Sequence, residues 1–241
     1  MDELKLSRAT VSDQIFEYMK DAIARGIWAV DEKIPSEAEL AEKFGVNRLT
    51  VRVSLQQLLG MGVLEKRVGD GTYVKAFDFG SYLQKISDLY MRPELLDQVS
   101  EFRRTIELEC ARLASLRGTE EEFETLHRLA DEYRQLMRAP GEKTDADFDA
   151  IVTKDVEFHR QICVMSKNDL FLNAYDMAKE AISRYLHVIV RKRVQDWREN
   201  NVDVSQWNDL HHDIHLNLMK QNTRGWKKAY LDMIDRETTL K

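Results

Sequence analysis

The chain has 241 residues, 43% of them hydrophobic and 32% charged, with only 10 Gly and 3 Pro. That balance excludes a disordered chain, and no apolar run approaches the roughly 20 residues that span a bilayer, so no membrane partner is expected. The net charge is −6, so any nucleic-acid binding must come from cations gathered on one face rather than from bulk charge.

Scarce Gly and Pro with abundant Leu, Ala, Glu, Lys and Arg predict a mostly α fold. The opening residues lack the apolar core of a secretory signal, and the expected location is cytoplasmic. Cys110 and Cys163 lie in apolar helical context and read as reduced core thiols. Residues 1–75 carry 11 Lys and Arg against 12 Asp and Glu, a net of −1, while all 6 histidines lie beyond residue 120. The two halves are therefore expected to do different chemistry.

Val11, Ile15, Met19 and Ile23 recur every four residues and predict an amphipathic helix over 11–25, stopped by Gly26. Ser36 and Glu39 form a capping-box pattern that starts a second helix, with Gly45 at its end. Asn47 caps a third, which runs over 48–62 with Val51, Leu55, Leu58 and Leu59 inward. Two short helices joined at a Gly bend are the helix-turn-helix pattern. Arg48, Thr50 and Arg52 fall on the outer side of the third helix's first turns. Arg bonds two guanine acceptors, Asn pairs with adenine, and Thr meets a thymine methyl or a phosphate. Strands over 63–66 and 72–74 flank a Val68–Gly71 turn, since Asp-Gly is a strong hairpin signal. Such a hairpin after a helix-turn-helix is a wing. Lys66 and Arg67 are then expected along the phosphates, and Gly69 and Gly71 to let the backbone approach DNA.

At these positions the chain resembles the GntR family of regulators. The resemblance rests on Pro35-Ser36-Glu37, Leu40-Ala41, Gly45-Val46-Asn47-Arg48, Val51-Arg52, Leu58, Gly62 and Gly69 through Val74. It implies a double-stranded DNA operator as partner, bound by a homodimer. One departure is Ala38, where the family often has an arginine used on DNA. Asn47 stands where Ser or Thr is commoner and keeps the capping role.

After a short linker at 76–80, helical patterns run over 81–91, 94–117, 119–138, 147–167, 169–195, 204–221 and 224–239. They predict an antiparallel bundle over 81–241. The whole reads as a winged helix-turn-helix domain at 1–75 joined to an all-helical effector-binding and dimerisation domain. Trp207 and Trp226 read as packing anchors, and Arg191-Lys192-Arg193 as a solvated helix end.

Asp155 and His159 stand at i, i+4 on one helix face among Val156, Phe158 and Ile162. Such a pair holds a divalent ion or makes a structural hydrogen bond, and spacing alone does not choose. Glu101 through Glu107, Ala111 through Ala114, Asp155 through His159 and Asn168 resemble the sensor (FCD-type) domain of the FadR-like branch of GntR regulators. That resemblance implies one divalent metal ion (Zn²⁺, Mn²⁺ or Ni²⁺) on Asp155, His159 and His211. The fourth family ligand maps onto Met233 or, in a shifted register, Arg236. Both are poor ligands. His215, one turn from His211, is the substitute, with His187 more remote. The branch often binds carboxylic acids, and Arg103 and Arg184 are the expected guanidinium clamps for such an effector.

The functional expectation is a transcriptional repressor controlled by a small carboxylate-bearing metabolite. A metal-dependent enzyme using Asp155, His159 and His211 is the rival, but no nucleophile or general base stands beside them in the sequence. A DNA-binding structural protein without effector response is another. Effector-dependent operator affinity separates the regulator from that third reading, and turnover of a small acid separates it from the second.

Overall fold

Thr10 opens the first helix by a reciprocal cap: its hydroxyl accepts from the Asp13 N–H, and the Asp13 carboxylate accepts from the Thr10 N–H. The computed structural model describes residues 9–78, 80, 82, 93–204 and 207–239. The chain divides into two units, Met1–Tyr82 and Leu83–Lys241.

In the first unit, α1 (Val11–Ala24) buries Ile15, Met19 and Ala22. α2 (Glu37–Phe44) starts at the Ser36 capping box and stops at Gly45, whose φ of 65° suits glycine. α3 (Arg48–Met61) starts at Asn47, whose side chain accepts the Thr50 N–H at 2.8 Å. Ser54, wholly buried on α3, donates its hydroxyl to the Ser12 carbonyl at 2.7 Å and fixes α3 on α1. β1 (Leu64–Arg67) and β2 (Gly71–Val74) pair antiparallel, with Leu64 opposite Val74 and Arg67 opposite Gly71. β1 lies one residue nearer the turn than the side-chain pattern suggests, and β2 starts one residue earlier. The cause is the tight closure: the Asp70 N–H reaches the Arg67 carbonyl at 3.1 Å, and Gly69 takes a φ of 77°. Leu40, Val51, Leu55, Leu58, Leu64 and Val74 form the core between helices and hairpin.

The second unit comprises α4 (Pro93–Arg117), α5 (Glu120–Arg138), α6 (Asp145–Met165), α7 (Asp169–Glu199), α8 (Leu210–Met219) and α9 (Thr223–Thr239). The expected helix at 81–91 lies outside the described residues. Thr119 and Thr144 cap α5 and α6 through capping boxes with Glu122 and Asp147, so α6 begins at 145, two residues before its apolar pattern. α7 runs four residues past its expected end, to Glu199. α8 starts at 210, not 204, because Asp209 is the cap: its carboxylate accepts the His211 N–H at 3.1 Å. α5 packs on α6 and α8, α6 on α7, and α4 against α6, α7, α8 and α9. The core includes Tyr133, Phe158, Ile162, Tyr175, Tyr230 and Ile234, and Cys110 and Cys163 are buried free thiols. Among the described residues the architecture is nine helices and one two-stranded hairpin, with no helix long and apolar enough to cross a membrane.

Candidate functional site

Two sites emerge, one in each unit. In the first unit a groove of about 980 Å³ runs between the start of α2, the outer face of α3 and the hairpin. Ser36, Arg48, Arg52, Lys66 and Gly71 line it, joined by Lys33, Glu37 and Gln56. Arg52 donates to Glu37 through Nη2 at 2.7 Å and Nε at 3.0 Å. That hydrogen bond holds the Glu37 carboxyl below the usual range against a small burial effect, with help from the charges of Arg52, Lys66 and Arg48. The guanidinium is thus placed by an acid on its own surface, on the same face as Arg48 and Lys66.

The rest of the hairpin is tied to itself. Arg67 pairs with Glu65 at 2.6 Å and stacks 3.9 Å from the centre of the Tyr73 ring. Lys33 pairs with Asp70 at 2.9 Å, and Asp70 also accepts from the Tyr73 hydroxyl at 2.6 Å. The stem of Lys33 lies over Gly71, where a Cβ would sit 2.5 Å from its Cε. Thr50 donates its hydroxyl to Asn47 at 3.0 Å, so both residues serve the helix cap.

The second site is a buried cluster inside the helical unit. Asp155, His159 and His211 each offer a ligand atom, and the three atoms lie within 4.8 Å of one another. Asp155 Oδ1 is 3.6 Å from His159 Nε2, and Asp155 Oδ2 is 3.4 Å from His211 Nε2. Asp155 Oδ1, His159 Nε2 and His211 Nε2 are all buried without a hydrogen-bond partner. The far side of each imidazole is held. His211 Nδ1 lies 2.9 Å from Asp209 Oδ1, and His159 Nδ1 lies 2.9 Å from the Tyr230 hydroxyl and 3.1 Å from Glu107 Oε2. Asp209 therefore caps α8 and orients the imidazole that α8 carries. A carboxylate at Nδ1 thus orients each imidazole so that its Nε2 faces Asp155.

Arg103 lies against the same cluster, wholly buried. Its Nε donates to Glu107 at 2.8 Å and its Nη1 to Glu237 at 2.6 Å, while Nη2 is buried without a partner. Burial works against its charge, but Glu107 and Glu237 hold the guanidinium firmly protonated. Burial pushes the Glu237 carboxyl up, against the pull of Arg103. Burial likewise opposes a charge on His211, yet the carboxylates of Asp155 and Asp209 on either side of the ring lift its pKa to about 9. His159 is lowered, because burial outweighs the carboxylate of Glu107.

The three converging residues fit a divalent transition metal. Metal bonds of about 2.0–2.2 Å place adjacent ligand atoms roughly 3.0–3.5 Å apart, close to the separations found. The donor set of two imidazoles and a carboxylate suits Zn²⁺, Mn²⁺ or Ni²⁺. Charge agrees: the carboxylates of Glu107, Asp155, Asp209 and Glu237 face the guanidiniums of Arg103 and Arg134, the latter 3.3 Å from Asp209. With both imidazoles neutral, as metal ligation requires, that set lacks two positive charges; without a cation, a protonated His211 supplies one.

Comparison with known proteins bears on both units. Residues 3–74 match the family described as bacterial regulatory proteins, gntR family, and residues 98–235 match the FCD domain. The chain belongs to the GntR family, in the branch that carries an FCD domain. The regulator LutR of Bacillus subtilis is 33% identical over 140 residues, which cover 58% of this chain and 60% of LutR. The Uxu operon regulator of Haemophilus influenzae is 25% identical over 204 residues, 83% of this chain and 67% of that protein. The solved structure of a Streptococcus agalactiae GntR protein has the same fold, with a TM-score of 0.67 and 21% identity over 94% of this chain and 98% of that one. The chain thus spans between half and two thirds of LutR.

Against the GntR and FCD expectations, some residues fall elsewhere. His215 does not join Asp155, His159 and His211: it faces α5, with its ring 5.0 Å from His127. On α8 a residue four positions after His211 is turned a further 40° around the axis, enough to change neighbours. Arg184 is on the surface, donating to Glu180 at 2.8 Å one turn away. Met233 is buried in the apolar core and Arg236 is exposed. His187 pairs with Asp149 at 3.4 Å, outside the cluster. Arg191 is tied to Asp145 and lies over Phe148.

Residue patterns also passed over Glu107, Asp209, Tyr230 and Glu237. Two of these carry a readable signal. Glu107 stands four residues after Arg103 on one helix, and Asp209 stands at a cap position two residues before His211. Tyr230 and Glu237 reach the cluster only through packing of α9 on α4.

Proposed function

We propose that the chain is a DNA-binding transcriptional repressor that acts as a homodimer and releases its operator when a small carboxylate-bearing metabolite enters the FCD domain. Arg48 and Arg52 read base edges, and Lys66 contacts the phosphate backbone. Two copies meet the two halves of a near-palindromic operator. The observation that carries the sensor reading is the convergence of three partnerless ligand atoms beside a buried arginine.

Asp155, His159 and His211 would hold the divalent metal, with Asp209 and Glu107 orienting the two imidazoles. Bound there, a cation supplies open coordination positions for an effector oxygen. Arg103 supplies the second grip. Glu237 already occupies part of its fork, so an effector carboxylate competes with Glu237, and α9 is the element that yields. Displacement of Glu237 is then the local event that distinguishes the liganded bundle. It reaches the winged unit through the chain that joins the two. Coupling of this kind amounts to about 5- to 150-fold in affinity.

His159→Ala is expected to abolish the effector response while leaving operator affinity unchanged, measured by fluorescence anisotropy with and without cell-extracted small acids. Metal analysis of chelator-free protein checks the cation separately. A normal effector response with less than about a tenth of an equivalent of transition metal would leave Arg103 as the sole grip. A response that survives both His159→Ala and Arg103→Lys would remove the cluster as sensor. Sedimentation showing a monomer, free and on DNA, would remove the dimer.

A further inference from the structure

We propose a second divalent-cation site between α5 and α8, formed by His127 and Asp131 of α5 and His212 of α8, with His215 beside it. His127 and Asp131 stand at i, i+4 on one face of α5. His212 and His215 stand at i, i+3 on the α8 face that packs against it. One ligand atom from each of His127, Asp131 and His212 lies within 4.8 Å of the others. His127 Nε2 is 3.4 Å from Asp131 Oδ2, and His212 Nδ1 is 3.7 Å from Asp131 Oδ1. The His127 ring is 5.1 Å from that of His212 and 5.0 Å from that of His215.

Three imidazoles around one carboxylate is an uncommon surface grouping, and the free nitrogens sharpen it. His212 Nδ1 and His215 Nδ1 are buried and have no hydrogen-bond partner. The His215 ring is buried beside the cluster, 6.1 Å from that of His212. Imidazole nitrogens with one carboxylate oxygen suit Zn²⁺, Ni²⁺ or Cu²⁺ rather than Mg²⁺ or Ca²⁺. His127 is half exposed, which leaves room for water to complete the coordination. Glu120 and Glu124 line the adjoining groove and add negative potential. A cation there clips α5 to α8, the helix that delivers His211 to the inner cluster.

The test uses the full chain without a histidine tag, stripped with chelator and dialysed against micromolar Zn²⁺, with bound metal measured by elemental analysis. His127→Ala with His212→Ala is expected to lower uptake by one equivalent relative to the wild type, with the circular-dichroism spectrum unchanged, since both side chains are at least partly exposed. In Asp155→Asn with His211→Ala, one equivalent is expected to remain and to be lost on adding His127→Ala. Equal uptake by the wild type and the His127→Ala, His212→Ala variant overturns the site. That comparison stands whether or not the inner-cluster variant folds. It is independent of the regulatory reading, because the inner site is unaltered in both proteins compared.

Discussion

In the winged unit the cations that face outward stand in water beside acids of their own surface: Arg52 with Glu37, Arg67 with Glu65, Lys33 with Asp70. In the helical unit Arg103 makes the same kind of bonds to Glu107 and Glu237, but with no exposed surface at all. The chemistry is shared and the consequence is opposite. An exposed pair gains little and is easily exchanged for a phosphate. A buried pair that loses one member leaves an uncompensated charge in a medium that cannot solvate it. The first arrangement suits a surface that must give up its own contacts to DNA. The second suits a switch that only a well-matched ligand can open.

The largest effect follows from that contrast. Arg103→Ala strands two buried carboxylates and is expected to destabilise the helical unit by about 3–5 kcal/mol, read from the urea midpoint. Arg184→Ala, which breaks an exposed pair one helical turn apart, should leave the midpoint where it was. If the two variants lose similar stability, the cluster is wetter than its burial implies and the contrast fails.

Next come the outer arginines. Arg48→Ala or Arg52→Ala is expected to weaken operator binding about 5- to 150-fold with no change in thermal stability, as for any residue that bonds a base. Lys66→Ala should weaken binding to all DNA alike and flatten the salt dependence by about one phosphate. Isothermal titration at several salt concentrations separates the two patterns. Loss of stability in the arginine variants would mean that these side chains hold the fold rather than read DNA.

How much of this was legible in the residues differs between the units for a physical reason. The winged unit is built from local signals: Ser36 with Glu39, Gly45, Asn47 with Thr50, and a Gly69-Asp70-Gly71 turn each act within four residues. Its helices and hairpin could therefore be read within a residue or two, and Ser36, Arg48, Arg52, Lys66 and Gly71 do line one groove. The buried cluster joins α4, α6, α8 and α9, separated by up to 134 residues between Arg103 and Glu237. Helical spacing could pair Asp155 with His159, and family resemblance supplied His211. Nothing local announced that Glu237 would fill the arginine's fork. Residues four apart on α8 differ by about 40° around its axis, and His215 meets His127 of α5 while His211 meets Asp155 of α6. Arg184 has the right chemistry for a carboxylate, but its helix turns it to solvent.

The smallest expected effect is the most direct probe of the exposed side of the contrast. Glu37 bonds Arg52 in the free protein, and it stands in the groove with Arg48 and Lys66. A DNA phosphate approaching that groove meets three carboxylates, Glu37, Glu39 and Asp70, among four cations, and Glu37 is the one bonded to Arg52. Glu37→Gln removes the negative charge yet keeps an acceptor oxygen for the guanidinium. Arg52 then no longer exchanges an ionic partner when it turns to the operator, so affinity should rise, by no more than about fivefold because the pair is exposed. The gain should shrink as salt increases, since it is electrostatic and screened over about 8–10 Å. Anisotropy titrations of the wild type and Glu37→Gln at two salt concentrations read both quantities. Weaker operator binding in Glu37→Gln would mean that the carboxylate is the device that aims Arg52 at its base. The exposed pair would then be a positioning contact, closer in kind to the buried one than its solvent exposure suggests.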